Sequence, residues 1–280
     1  PLVECASIID FNNDGNKDII SGYNTDFGFF GGINLYTNDG NLNFTESSIT
    51  NNSLSINEIF TLDLNNDSYT DIITLDYYKQ LIYYLSDGTD GFQTGQLVGT
   101  TESIIKNIDY IDIDNDGYKD LITGEDSYFK NDGSMNFTNT ALPASGVIYD
   151  LDNDGDFDIL SHKTDETTFA ITIVWYENDG SGNYTEHEID NSDYNMFTVD
   201  DFDGDGDIDF VAGHKSIFTS DSTLSFYIND GNQSFTREDM DYPFSNGTFY
   251  LTSNDYDGDG DIDILRSTPA FPFIIWENKS

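Results

Sequence analysis

A nine-residue acidic pattern, D-x-[DN]-x-D-[GS]-x-x-D, occurs six times in this chain and limits its possible folds more than any other feature. The copies are DFNNDGNKD from Asp10, DLNNDSYTD from Asp63, DIDNDGYKD from Asp112, DLDNDGDFD from Asp150, DFDGDGDID from Asp201 and DYDGDGDID from Asp255. Side-chain oxygens at positions 1, 3, 5 and 9 can converge on one hard cation. The main-chain oxygen of position 7 completes the shell, and glycine at position 6 permits the sharp turn. One such cluster is usually a solvated turn; six with one spacing leave that explanation little room.

The expected ligand sets are Asp10, Asn12, Asp14, Asn16 and Asp18 in the first loop, and Asp63, Asn65, Asp67, Tyr69 and Asp71 in the second. Asp112, Asp114, Asp116, Tyr118 and Asp120 form the third, and Asp150, Asp152, Asp154, Asp156 and Asp158 the fourth. The fifth has Asp201, Asp203, Asp205, Asp207 and Asp209; the sixth has Asp255, Asp257, Asp259, Asp261 and Asp263. These are not EF-hands. Position 12 is Ser21, Thr74, Thr123, Ser161, Ala212 or Arg266 where a bidentate Glu is required, and strand-like segments such as DIISGY and DFVAG follow where a helix should begin.

The first loop residue recurs at intervals between 38 and 54 residues, which marks a repeat architecture. A second landmark keeps step: an aromatic, one residue, then Asn/Ser-Asp-Gly. Tyr36, Tyr84, Phe129, Tyr176 and Tyr227 open these segments, and Phe44, Phe92, Phe137, Tyr184 and Phe235 follow them. Asp-Gly after a strand predicts a type I′ hairpin turn. Each unit then reads as strand A, acidic loop, strand B, variable loop, strand C, Asp-Gly turn and strand D. The expected fold is all-β: one β-propeller domain over residues 1–280, with six repeats of about 50 residues. Each blade would have four antiparallel strands, beginning near Ser7, Ile59, Asp109, Val147, Thr198 and Thr252, with the aromatics packing between blades. The chain ends where the sixth Asp-Gly turn should stand, so the last blade is expected to be incomplete, or the natural chain to continue.

With its [YFW]-x-N-D-G-x-x-x-[FY]-T companion, the acidic pattern resembles the FG-GAP/VCBS repeat family of calcium-binding propellers, which includes the α-integrin head and many secreted bacterial proteins. The resemblance covers nearly the whole chain and implies about six Ca²⁺ ions, an extracellular or cell-surface location and a role in adhesion. The segment WYENDGSGNYT also resembles secreted bacterial proteins. Two departures stand out: Ser68 replaces glycine at position 6, and Asn12 and Asn65 replace Asp at position 3. The first two loops are therefore expected to bind most weakly.

Composition supports this reading. The formal net charge of −43 excludes a nucleic-acid partner, whose phosphates need a basic face. Of the 53 acidic residues 42 are Asp, a bias that metal loops explain better than general surface acidity does. No run of 18 apolar residues predicts membrane insertion. With Cys5 as the lone cysteine, no intrachain disulfide forms, and calcium is the obvious substitute cross-link. Asn-x-Ser/Thr sequons are frequent, as an Asn- and Thr-rich repeat makes them by chance.

The expected ligand face is the loop end opposite the metal loops. Lys79, Lys163, Lys215 and Arg266 fall in or beside B–C loops there, with Lys106 near a D–A loop and His162 and His214 beside two of the lysines. They form either a cationic rim suited to anionic glycans or, the favoured reading, ordinary solvated strand ends. No G-x-S-x-G, H-E-x-x-H or phosphate-loop pattern is present, and no catalytic constellation emerges. Three functions stay open: an extracellular module binding a glycan or protein, a polysaccharide-active enzyme or its accessory domain, and a spacer among further domains of the same chain.

Overall fold

A computed structural model of the chain describes residues 2–25, 30–53, 55–89, 91–192, 194, 196–213, 224–231, 234–240, 250–267 and 273–278, with only the backbone for 51–53. Every regular element among them is a strand, and the strands form six separate antiparallel sheets. The first sheet joins β1 (Leu2–Ile9), β2 (Asp18–Asn24), β3 (Gly31–Asn38) and β4 (Phe44–Ser53); the second joins β5 (Ile56–Leu62), β6 (Asp71–Asp76), β7 (Gln80–Tyr84) and β8 (Gln96–Thr100). The third contains β9 (Asp109–Ile111), β10 (Asp120–Ile122), β11 (Ser127–Asn131) and β12 (Phe137–Ala141). The fourth contains β13 (Val147–Tyr149), β14 (Asp158–Thr164), β15 (Ile171–Asn178) and β16 (Tyr184–Asp190). The fifth has β17 (Met196–Asp200), β18 (Asp209–Gly213), β19 (Leu224–Asn229) and β20 (Phe235–Asp239), and the sixth has only β21 (Tyr250–Asn254), β22 (Asp263–Ser267) and β23 (Ile274–Trp276). Four sheets begin earlier than the sequence suggests, at Leu2, Ile56, Met196 and Tyr250, because strand A follows its pairing with strand B beyond the apolar run.

Two compact units divide the chain: Pro1–Ile111 with Gly117–Ala141, and Asp112–Asp116 with Leu142–Ser280. In each, neighbouring sheets stack face to face. Strand B lies inside the stack, so β6 (DIITLD) and β18 (DFVAG) are buried along their whole length and read as continuous apolar or small runs rather than alternating ones. Adjacent residues of strand B serve opposite neighbours. In the first unit Ile72 packs with Phe11, Ile20 and Leu35 of the first sheet, while Ile73 packs with Leu121 and Phe129 of the third. In the second unit Phe210 and Ala212 join Leu160 and Trp175 of the fourth sheet, while Val211 joins Leu251 and Ile264 of the sixth. Strand D is peripheral and largely exposed, as in Phe235–Asp239.

The strand-D aromatics reach back to the preceding sheet: Phe92 meets Phe11 at 5.7 Å between ring centroids, Phe137 meets Tyr83 at 6.1 Å, and Phe235 meets Trp175 at 6.4 Å. Of the strand-C aromatics, Tyr84, Phe129 and Tyr227 are core residues. Tyr36 and Tyr176 depart from the expected inter-sheet role and donate instead to Glu46 and Glu186 on their own strand D. Cys5 is half-buried near the Ile56 carbonyl, and burial pushes its thiol up to about 11, so it is an inert packing residue.

The Asp-Gly segments do not form type I′ turns. That turn needs positive φ at both central residues, but in the first sheet only Gly40 (80°) and Leu42 (61°) have it. The Asp39 carboxylate accepts the backbone N–H groups of Asn41 and Asn43, opening the connection into a five-residue loop in which Asp39 N–H reaches the Asn43 carbonyl. Asp132 and Asp179 repeat the arrangement. Asn43, Asn136 and Asn183 close it by donating side-chain N–H to those aspartates at 2.8–2.9 Å, which gives these three sequon asparagines a structural role.

Position 6 of the acidic loops has positive φ wherever glycine stands, from 89° at Gly15 to 101° at Gly260, and Ser68 is forced to 71°. A side chain in this region costs about 1–2 kcal/mol. Ser68→Gly is expected to raise stability by about 1 kcal/mol, read from the urea unfolding midpoint; a lowered midpoint would show that the Ser68 side chain contributes more than its backbone strain costs.

Candidate metal centres

Each acidic loop is ordered by hydrogen bonds among its own residues. The position 1 carboxylate accepts the N–H of position 5 on one oxygen and of position 6 on the other. In the fifth loop Asp205 N–H reaches Asp201 Oδ1 at 3.1 Å and Gly206 N–H reaches Oδ2 at 3.0 Å, and the first, second and fourth loops repeat both bonds. The position 5 carboxylate accepts from position 7, as Asp205 does from Asp207 at 2.9 Å. Position 4 takes positive φ throughout, 54–58° at Asn13, Asn66, Asn115 and Asn153 and 77–82° at Gly204 and Gly258. Asn and Gly are the residues that tolerate this conformation, so their exclusive use at position 4 was a visible signal that the ligand pattern did not use.

Position 9 has two tasks. Asp18, Asp71, Asp120, Asp158, Asp209 and Asp263 are all essentially buried at the start of strand B. One oxygen accepts the N–H of loop position 2: Phe11, Leu64, Leu151, Phe202 or Tyr256, at 2.9–3.1 Å. The other accepts the N–H at the start of the Asp-Gly turn, Asn38, Ser86, Asn131, Asn178 or Asn229, or of Asn278 at the matching place in the sixth repeat, at 2.7–2.9 Å. Burial pushes Asp158 up to about 7 and Asp209 to about 6 despite those donors. A nearby cation would favour the ionised form.

In the second unit these constraints gather carboxylates. Oxygens of Asp150, Asp152 and Asp158 lie within 4.8 Å of one another, as do those of Asp201, Asp203 and Asp209, and those of Asp255, Asp257 and Asp259. The first two groups use positions 1, 3 and 9; the sixth loop brings position 5 in and leaves position 9 out of its closest group. All the donors are hard oxygens, and oxygens spaced this way fit about one ion whose ligands lie about 2.3–2.6 Å from its centre. These clusters could hold metal ions. In the first unit Asn12 and Asn65 accept from Asp14 and Asp67 N–H at 3.0 Å, and the Asn65 amide also donates to the Asp67 carboxylate. The third loop is shared between units, with residues 112–116 in the second and Asp120 opening β10 in the first.

Position 7 was expected to act through its main-chain oxygen, but its side chain also has a place. Asn16, Tyr69, Tyr118, Asp156 and Asp207 lie against Gly40, Gly88, Gly133, Gly180 and Gly231 of their own Asp-Gly turns so closely that a Cβ there would displace them. On Gly231 it would fall 2.3 Å from Asp207 Oδ2.

The turn asparagine then links successive sheets, a role absent from the sequence reading. In the second unit Asn178 Nδ2 donates to the Ile113 carbonyl at 3.0 Å, Asn229 to Leu151 at 2.7 Å and Asn278 to Phe202 at 2.9 Å. Each acceptor is position 2 of the preceding acidic loop. Asn115 and Asn153 add bonds from position 4 to Asp156 and Asp207 of the following loop. In the first unit Tyr110 Oη holds the equivalent Leu64 carbonyl at 2.6 Å.

The described ligand-face cations each have a place within their own unit. Arg266 is buried in β22, where burial lowers its pKa to about 10; position 12 is buried in every sheet, so the arginine occupies an interior site. Lys163 lies in strand β14 rather than in a loop, held by Glu186 and Glu188 at 2.6 Å each. His162, its neighbour, points to the opposite face and meets Phe197 at 6.3 Å. Lys106 pairs with Glu58, and Lys79 donates to the Glu102 carbonyl. His214 and Lys215 lie outside the described residues.

Six antiparallel sheets, each with an acidic hairpin between its first two strands, define a repeat protein built around candidate metal loops. The FG-GAP-like repeat matches residues 10–74, 63–123 and 201–265, well over half of the sequence, and the chain belongs to that family. Among solved structures, the V. cholerae biofilm matrix protein Bap1 is similar at 15% identity with a TM-score of 0.47; the match covers 85% of this chain and 39% of that one. A comparison with curated protein sequences finds no significant match. Among the described residues no helix is long and apolar enough to cross a membrane.

Asn229→Ala removes donors to the buried Leu151 and Ile208 carbonyls and is expected to cost about 2–4 kcal/mol in denaturant unfolding. A loss below about 0.5 kcal/mol, typical of a surface change, would contradict the inter-sheet role.

Proposed function

We propose that the protein is an extracellular, calcium-stabilised binding module. Its six sheets act as blades of one propeller, and it recognises a glycan or protein through the variable loops opposite the metal loops. The observation that carries this reading is the carboxylate grouping at one hairpin of successive sheets, with Asp150, Asp152 and Asp158 matched by Asp201, Asp203 and Asp209. Membership of the FG-GAP-like repeat family supports it.

Ca²⁺ bound in each loop would neutralise carboxylates that otherwise repel by roughly 1–4 kcal/mol per pair at about 4 Å. Positions 1, 3, 5 and 9 would supply side-chain oxygens and position 7 a main-chain oxygen. The hydrogen bonds described above already hold positions 1, 5 and 9 in place, so the loop reaches its binding shape with little reordering. Position 9 transmits the order to strand B and to the Asp-Gly turn, and the turn asparagine carries it to the preceding sheet. The role is structural. The antiparallel order places the B–C connections at the opposite end of each sheet, where they can vary in length without disturbing the metal loops.

Extracellular calcium modules bind with Kd on the order of 10⁻⁴–10⁻³ M. At free calcium ten times Kd each site adds about 1.4 kcal/mol. Chelation with EDTA is expected to lower the melting temperature by about 10 °C or more, and re-added CaCl₂ to restore it; an unmoved melting temperature would overturn the reading. In calorimetric titration the first and second loops, with Asn12 and Asn65 at position 3, are expected to fill last. Asp203→Asn should therefore add a third weak site, whereas uniform affinities would contradict the role given to position 3.

A further inference from the structure

The fourth sheet carries a cavity that the metal loops do not use. It lies at the end of β14 and β15 away from the acidic hairpin, has a volume of about 360 Å³, and is lined by Lys163, Asp165, Thr168, Thr172, Glu188 and Asn191 among others. That size falls in the range of ligand clefts, about 300–1,000 Å³. We propose that it is a binding subsite for one neutral, hydroxyl-rich sugar residue. The proposal rests on the binding-module reading and narrows it to one blade and one ligand class.

The lining chemistry leads to that ligand. A sugar hydroxyl donates and accepts at once, so its site needs both kinds of partner fixed side by side. Here an ammonium, two carboxylates, an amide and three threonines line one space. Their positions are set: Lys163 Nζ lies 2.6 Å from both Glu186 and Glu188, and Thr172 Oγ1 donates to Asn191 Oδ1 at 2.6 Å. Asp165 accepts the N–H groups of Thr167 and Thr168 and the Thr168 hydroxyl, and these bonds hold its carboxyl below the usual range, so it is ionised at neutral pH. Such preorganisation lowers the ordering cost of binding.

Charge decides between sugar classes. The lining holds one lysine against two carboxylates, Asp165 and Glu188, and that lysine is also paired with Glu186, so the site is net negative. A uronate would meet carboxylates and compete for a lysine already doubly paired. This sets aside the cationic rim, the less favoured of the two sequence-based readings of Lys163.

A separate observation points the same way. Phe169, between the lining residues Thr168 and Ala170, is 76% exposed and has φ of +60°. The turn is closed by Asp165 N–H to the Ala170 carbonyl at 2.9 Å and Phe169 N–H to the Asp165 carbonyl at 2.8 Å. The positive φ belongs to the closed turn, as at the equally exposed Leu42, and what the turn presents to solvent here is an aromatic ring. An aromatic face beside polar groups is what the C–H side of a sugar ring packs on.

The test is titration of the calcium-loaded, ¹⁵N-labelled full chain with the methyl β-glycosides of galactose, glucose and N-acetylglucosamine, and with sodium glucuronate, followed by amide chemical shifts. At least one neutral glycoside is expected to give saturable shifts concentrated at residues 163–172 and 188–191, while glucuronate gives none there. Glu188→Gln and Phe169→Ala, both surface changes, should each weaken the response at least tenfold with the melting temperature unchanged. No saturable shift with any neutral glycoside, an unaltered response in both variants, or a glucuronate response at the same amides would overturn the proposal. A chain that fails here yet still melts earlier in EDTA loses this subsite and keeps its calcium-stabilised reading; one that also melts unchanged in EDTA loses both.

Discussion

A carboxylate buried at the first residue of strand B holds each sheet to its neighbouring turns. With one oxygen it fixes the entry to the acidic loop, and with the other it fixes the start of the Asp-Gly turn. Burying a carboxylate is costly unless its oxygens are satisfied, and burial still raises Asp158 to about 7 and Asp209 to about 6. The remaining electrostatic demand falls at the base of the carboxylate cluster, where Asp158 and Asp209 share their surroundings with positions 1 and 3. A divalent ion held there would answer both the burial of position 9 and the crowding of its partners. The same residue is thus a structural anchor and a candidate ligand.

Repetition turns this local device into a fold. In the second unit the turn that binds the buried carboxylate begins with an asparagine whose side chain grips the preceding loop, so order in one hairpin bears on the next. Between the hairpins, strand B of the middle sheet in each unit contributes alternate residues to the sheets on either side. At the other end of the sheets no comparable network recurs among the described residues, and the connections differ in sequence from repeat to repeat. The cavity beside Lys163 and the exposed Phe169 belong to that end of the fourth sheet.

Most of the architecture was legible because its signals are local and repeated: six acidic loops, five Asp-Gly segments, and aromatics in step with both. What the sequence concealed depended on partners. The Asp-Gly dipeptide suggests a tight hairpin, but the Asp39 carboxylate draws in two further N–H groups and widens the loop. Lys163 looks like a loop residue because strand B is apolar only as far as Leu160, whereas pairing with Thr172 extends the strand through it. Arg266 stands out as a rare cation, yet the small residues at position 12 in the other five repeats, Ser21, Thr74, Thr123, Ser161 and Ala212, already marked an interior site. The asparagine clasp was hidden because its acceptor is a main-chain carbonyl, to which sequence is blind.

The central claim is that the acidic loops hold calcium one ion at a time. Native mass spectrometry of the chain equilibrated with CaCl₂ counts those ions directly. The account predicts successive additions of calcium mass up to six, reduced by one when Asp201 and Asp203 are both changed to Asn. Retention of no calcium, or an unaltered count in that variant, would contradict it.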